Sequence, residues 1–186
     1  MPAALISRTD AIGRIAEVFR MQGYEGASLS AITEASGLGK GSLYNHFPGG
    51  KDQMASEVLT HIDAWFEAEV YKPLRESTDA RAAVTAMISA TWVYFHSGRR
   101  ICLVGAFALD ATRDRFAGAV QSYFAAWIVA LEQALERGGA CDARALAEST
   151  VAGIQGALVL ARALDNPDVF TRQLREMQER LISALA

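Results

Sequence analysis

Cysteine is almost missing from this 186-residue chain: only Cys102 and Cys141 occur, in no CxxC or metal-ligand spacing. A disulfide-stapled scaffold is thereby excluded, and such a pair in a long, core-rich chain reads as reduced and intracellular. Proline is confined to positions 2, 48, 73 and 167, so Leu74 to Asn166 runs without one. Histidine is limited to His46, His61 and His96, which share no ligand spacing with each other or with the cysteines, so no metal site is expected. The N-terminus lacks the basic region, apolar run and small-residue cleavage site of a signal peptide. The longest apolar run towards the C-terminus, Ala157 to Ala161, is far too short to span a bilayer. These absences lead to the expectation of a cytoplasmic protein with no membrane partner. An excess of positive charge is missing too, the net charge being −3. Its distribution is uneven, however. Up to Lys51 there are five basic residues against four acidic ones, and the remainder is acidic. Any nucleic-acid contact is therefore expected in the N-terminal part.

What is present is apolar and helix-favouring: 51% of residues are hydrophobic, and no segment alternates apolar and polar side chains as a strand would. The expected fold class is all-α. Ile12, Ile15, Ala16 and Phe19 follow the i, i+3, i+4, i+7 template, with Thr9 as N-cap and Gly23 as stop. Ser28 is placed to cap a short second helix ending at Gly37. A third runs from about Lys40 to Phe47 and stops at Pro48-Gly49-Gly50. A long fourth helix, Lys51 to about Lys72, carries Met54, Val58, Ile62 and Phe66 on one face, and Pro73 follows its end. Further helices are expected near 79–97, 102–109, 113–137, 142–165 and 168–185. The expected division is a three-helix unit over 1–50 and a larger helical body over 51–186.

The stretch "GLGKGSLYNHFPGGKDQM", Gly37 to Met54, concentrates five glycines around a short apolar and aromatic segment. A phosphate-binding P-loop is ruled out, since Lys40 is followed by Gly41 instead of Ser or Thr and the preceding segment reads as a helix. Ser42 and His46 stand at i, i+4, but no orienting group or oxyanion element accompanies them, so no catalytic residue is assigned. The remaining reading is a helix-turn-helix, whose second helix can lie in a DNA major groove. Leu43 and Phe47 share one face and can bury against Phe19 and Ile32. Lys40, Gly41, Ser42, Tyr44, Asn45 and His46 are left facing outward, a set rich in partners for base edges and phosphates. Lys51 adds a cation at the next helix start, and Ser28 and Ser30 complete the candidate DNA-binding residues.

In register, Gly23-Tyr24, Ser28, Ile32, Gly37, Lys40-Gly41, Leu43-Tyr44, His46-Phe47 and Lys51 resemble the DNA-binding segment of the TetR family of bacterial transcriptional regulators. The resemblance covers about Thr9 to Leu59. The Pro48-Gly49-Gly50 turn and "CLVGAFALD", Cys102 to Asp110, are similar to the branch containing drug- and small-molecule-responsive efflux regulators. The resemblance implies an all-helical homodimer, a double-stranded DNA operator and a ligand pocket in the C-terminal body. Since no catalytic or metal-binding motif survives, no cofactor and no enzymatic activity are expected. One departure stands out: Gly39 occupies the place where the family often has a side chain able to cap the recognition helix.

In the body, Ala147, Val151, Ile154, Leu158 and Ala161 form a heptad-like seam, followed by Phe170, Leu174, Met177 and Leu181 in the next helix. Such a seam serves either a monomeric core or a dimer interface. With the resemblance, Val151, Ile154, Leu158, Ala161, Leu174, Met177 and Leu181 are the expected interface. Trp92, Phe95, Phe107, Phe124 and Trp127 are the candidate lining of a cavity for a small apolar or aromatic effector. The expected function is a ligand-responsive regulator, a repressor that binds a palindromic operator as a homodimer and is released by the effector. The alternative is a small-molecule-binding helical protein, or an enzyme using the same cavity, with a non-functional helix-turn-helix.

Overall fold

The computed structural model describes residues 6–186, and among them there are helices and turns with no strand. The elements are α1 (Arg8–Gly26), α2 (Leu29–Ser36), α3 (Lys40–His46), α4 (Gly50–Phe66), a π turn (Glu67–Tyr71), α5 (Lys72–Glu76), α6 (Ala80–Tyr94), a 3-10 turn (His96–Gly98), α7 (Leu103–Ala108), α8 (Thr112–Arg115), α9 (Ala117–Arg137), α10 (Ala143–Ala163) and α11 (Asp168–Ser183). They form two compact units. The first runs up to Asp63 and takes in Leu103–Val120; the second holds Ala64–Cys102 and Gln121–Ala186. Leu103–Val120, which the sequence division at residue 50 gives to the body, thus belongs with the N-terminal helices.

Several element ends differ from the sequence expectation, each for a local reason. The N-cap of α1 is Ser7, not Thr9: its hydroxyl accepts from the Asp10 N–H at 3.1 Å. Gly23 does break the helical geometry, at φ 70° and ψ 173°, but the chain resumes helical turns to Gly26. The fourth helix does not run regularly to Lys72. It widens after Phe66 into the π turn, where Lys72 N–H bonds to Glu67 O, five residues back. Pro73 then lies inside the continuing helix, as the second residue of α5 directly after the π turn. The single helix expected over 113–137 is two, because Phe116, at φ −118° and ψ 25°, leaves helical geometry between α8 and α9. α6 stops short of residue 97 because His96, Ser97 and Gly98 all take positive φ.

In the first unit, Ile15, Phe19, Ile32, Leu43, Phe47 and Val58 are fully buried, as the i, i+4 spacing of Leu43 and Phe47 requires. Phe107 of α7 and Phe116 complete this core: ring centroids lie 6.2 Å apart for Phe19–Phe107, 6.1 Å for Tyr24–Phe107 and 5.5 Å for Tyr24–Phe116. Phe107 is therefore not part of an aromatic cluster in the C-terminal body.

In the second unit, α10 and α11 pack closely, and a Cβ on Gly153 would come within 2.7 Å of the Met177 methyl. Val151, Ile154, Leu158 and Ala161 of α10, with Leu174 and Leu181 of α11, are buried by the chain's own helices. This corrects their assignment to a dimer surface: the seam closes the interior of one chain. Another face of α10 points outward. Ala152, Gly156, Val159 and Ala163 are exposed at four-three-four spacing, and Val159, Leu160 and Leu164 are 60%, 50% and 63% exposed.

Candidate nucleic-acid interface

The α2–α3 pair is built from local signals. Ser28 Oγ accepts from the Ala31 N–H at 3.1 Å and fixes the start of α2. Gly37 closes α2 in the left-handed conformation, φ 72°, its N–H bonding to Thr33 O at 3.2 Å. Buried Ser36 tightens the turn, donating to Thr33 O and accepting from the Leu38 N–H. α3 then starts at Gly39 with no side-chain cap. Its far end is held by a residue the sequence reading missed. Arg8 donates to His46 O at 2.8 Å, pairs with Glu57 at 2.6 Å, and places its guanidinium 4.8 Å from the Phe47 ring centre. No spacing rule signals this contact, because Arg8 lies 38 residues from His46 in sequence.

With Leu43 and Phe47 inward, Lys40, Gly41, Ser42, Tyr44 and Asn45 are exposed on α3, and Ser28 and Ser30 are exposed at the start of α2. Gly41 has negative φ, and a Cβ there would meet nothing within 4 Å, so the fold itself does not require glycine. His46 is half-buried. Lys51 is placed differently from the outward cation expected. Its Nζ donates to Tyr24 O at 2.9 Å and lies 4.5 Å from the Tyr24 ring centre. It thus closes the end of α1, where free carbonyls favour a cation.

Tyr24 is the hub of a second cluster. Its hydroxyl donates to the Asp52 carboxylate, and Arg115 donates to the Tyr24 hydroxyl at 2.9 Å and to Asp52 at 2.8 Å. Burial first, and then the Asp52 carboxylate, push the Tyr24 hydroxyl up to about 12. The bond from Tyr24, helped by Arg115, holds Asp52 below its ordinary value of 3.8. A depressed carboxylate stabilises the folded chain fully above its unfolded pKa, and that contribution disappears as pH falls through the lower folded value. Thermal melts of the wild type and Asp52→Asn should therefore differ at pH 7 and converge on acidification below about pH 4.

The five candidate ligand residues are dispersed. Phe95 and Trp127 are fully buried, with ring centres 6.3 and 5.1 Å from that of Phe66. Tyr94 and Tyr123 each approach Phe66 at 4.8 Å. Phe124 is half-buried beside Tyr123. Trp92 is on the surface, 43% exposed, donating to Thr171 Oγ1 at 3.3 Å, and Phe107 lies in the other unit. Among the described residues, no group of three or more His, Cys, Asp or Glu is placed to hold a metal ion, and no helix is long and apolar enough to cross a membrane.

Residues 12–58 match the model of the bacterial regulatory proteins of the tetR family, and residues 79–176 match the LmrA/YxaF-like C-terminal domain of transcriptional regulators. The HTH-type transcriptional regulator LmrA of Bacillus subtilis is 29% identical over 166 residues, covering 86% of this chain and 88% of that protein. A TetR family transcriptional regulator from Agrobacterium tumefaciens has the same fold, with a TM-score of 0.80 at 23% identity over 95% and 96% of the two chains. The TetR family transcriptional regulator CifR, in a cysteine mutant complexed with 26-bp double-strand operator DNA, superposes with a TM-score of 0.74 at 28% identity over 97% and 98%. With an all-helical fold, a helix-turn-helix in its N-terminal unit and family matches over both parts, this chain belongs to the TetR family of DNA-binding transcriptional regulators.

Proposed function

We propose that the protein is a repressor that binds a palindromic operator as a homodimer and is released by a small apolar or aromatic effector. The observation that carries the reading is the two-sided character of α3. Leu43 within it and Phe47 at its end are fully buried, while Lys40, Ser42, Tyr44 and Asn45 are exposed. The hydroxyl and amide groups there suit base edges and phosphates, and Ser28 and Ser30 extend the same chemistry at α2. Half-sites about one DNA turn apart, ~34–36 Å, or a multiple of that, suit two such units related by a two-fold axis. The exposed apolar face of α10 is the surface proposed for pairing, in place of the buried seam.

The effector is assigned to the aromatic group around Phe66, Phe95, Tyr123 and Trp127. Control then runs through the backbone. The chain leaves the second unit after Cys102, builds Leu103–Val120 into the first, and returns at Gln121. A change at either junction bears on Phe107, Phe116 and Arg115, and through them on Tyr24 and the start of α4. Lowering operator occupancy tenfold requires the effector to favour the released state by about 1.4 kcal/mol.

Selecting bound fragments from genomic DNA supplies the operator, and two substitutions test the surface. Tyr44→Ala and Asn45→Ala should each cost about 1–3 kcal/mol of operator affinity and relax preference at one position. Unchanged affinity in both folded variants would remove α3 as the reading helix.

A further inference from the structure

An open groove of about 450 Å³ lies between α2 and α3 on the side that carries Lys40 and Tyr44. Leu29, Leu43, Tyr44 and Thr33 line it, with Lys40 and Glu34 among its polar residues. Leu43 is fully buried, while Tyr44 is 40% exposed. The accessible surface inside the groove is mainly apolar, although Ser30, Thr33, Glu34 and Lys40 are among its lining. We propose that this groove seats the 5-methyl group of a thymine, making Leu29 and Tyr44 specificity-determining residues.

The assignment follows from what a major groove displays. Of the four bases only thymine presents an apolar group there; the other positions are hydrogen-bond donors and acceptors. A recess whose accessible apolar wall is Leu29 and the Tyr44 ring therefore discriminates by burying a methyl group. Glu34 argues against a phosphate occupant, since its carboxylate repels one. The same carboxylate can accept from an exocyclic amine of a neighbouring base, as acidic side chains do from cytosine N4. Lys40 supplies the compensating cation. The inference rests on the DNA-reading role proposed for α3 and adds which base feature the α2–α3 groove selects.

The test uses the full-length protein and an operator obtained by genomic selection. Each thymine is replaced in turn by deoxyuridine, which removes the methyl group and nothing else, and Kd is measured at one fixed salt concentration. One position per half-site should lose affinity about fourfold, the loss expected for a single buried methyl group, and about fifteenfold when both half-sites are changed. In Leu29→Ser, and in the exposed-site variant Tyr44→Ser should the first fail to fold, thymine and deoxyuridine at that position should bind equally. An operator indifferent to every deoxyuridine overturns the proposal, as does a discrimination that survives in the folded variant. Recovery of no DNA fragment at all overturns the regulator reading itself, and the two failures are thereby distinct.

Discussion

Phe107→Ala should destabilise the folded chain by about 3–5 kcal/mol, the range for removing a large buried aromatic side chain. Phe107 is 1% exposed and touches Phe19, Tyr24 and Phe116. Edge-to-face packing of such rings adds to what burial alone contributes. The polar contacts nearby are weaker supports. Arg115 and Asp52 are about half-exposed, and solvent screening leaves ion pairs of that kind little to contribute. Arg115→Ala should accordingly have a small effect on the melting temperature, while Phe107→Ala lowers it sharply. Chemical denaturation of both variants, with a helical signal as readout, checks the order. A Phe107→Ala chain as stable as the wild type would show that α7 is not part of the N-terminal core.

Glutamate introduced at both Val159 and Leu160 should leave a folded monomer with operator affinity reduced at least a hundredfold. Both residues are at least half-exposed, so the new charges meet water within one chain and are buried only on pairing. A lone unit forms half the phosphate contacts of a dimer, and affinity falls steeply with their number. Ile154→Glu provides the contrast. Ile154 is fully buried, so an unpaired charge there should unfold the chain instead of separating two of them. Sedimentation together with circular dichroism separates the two outcomes. A folded dimer carrying both glutamates would exclude this face as the pairing surface.

The α2–α3 motif was readable because its determinants are local. Ser28, Gly37 and the Leu43/Phe47 spacing act within a few residues, so helix starts, the turn and the buried face follow from adjacent sequence. The α10 seam was visible as a pattern but not as a destination. α10 is apolar on more than one face, and heptad spacing is the same whether the partner is α11 or another chain. Phe107 was misplaced for a related reason: nothing in "CLVGAFALD" reveals that the chain turns back to Phe19 and Tyr24. Lys51 and Arg8 show the same limit for charge. Each looks like a surface cation until Tyr24 O and His46 O appear as their partners.

The composition of the first unit from two separated stretches of sequence bears on how the protein can be dissected. A fragment ending at Asp63 would contain the whole helix-turn-helix yet leave Phe19 and Tyr24 facing solvent where Phe107 and Phe116 normally cover them. Exposed aromatic faces of that kind favour aggregation. A minimal soluble reading module therefore has to be spliced, with Leu103–Val120 joined through an engineered linker to the segment that ends at Asp63.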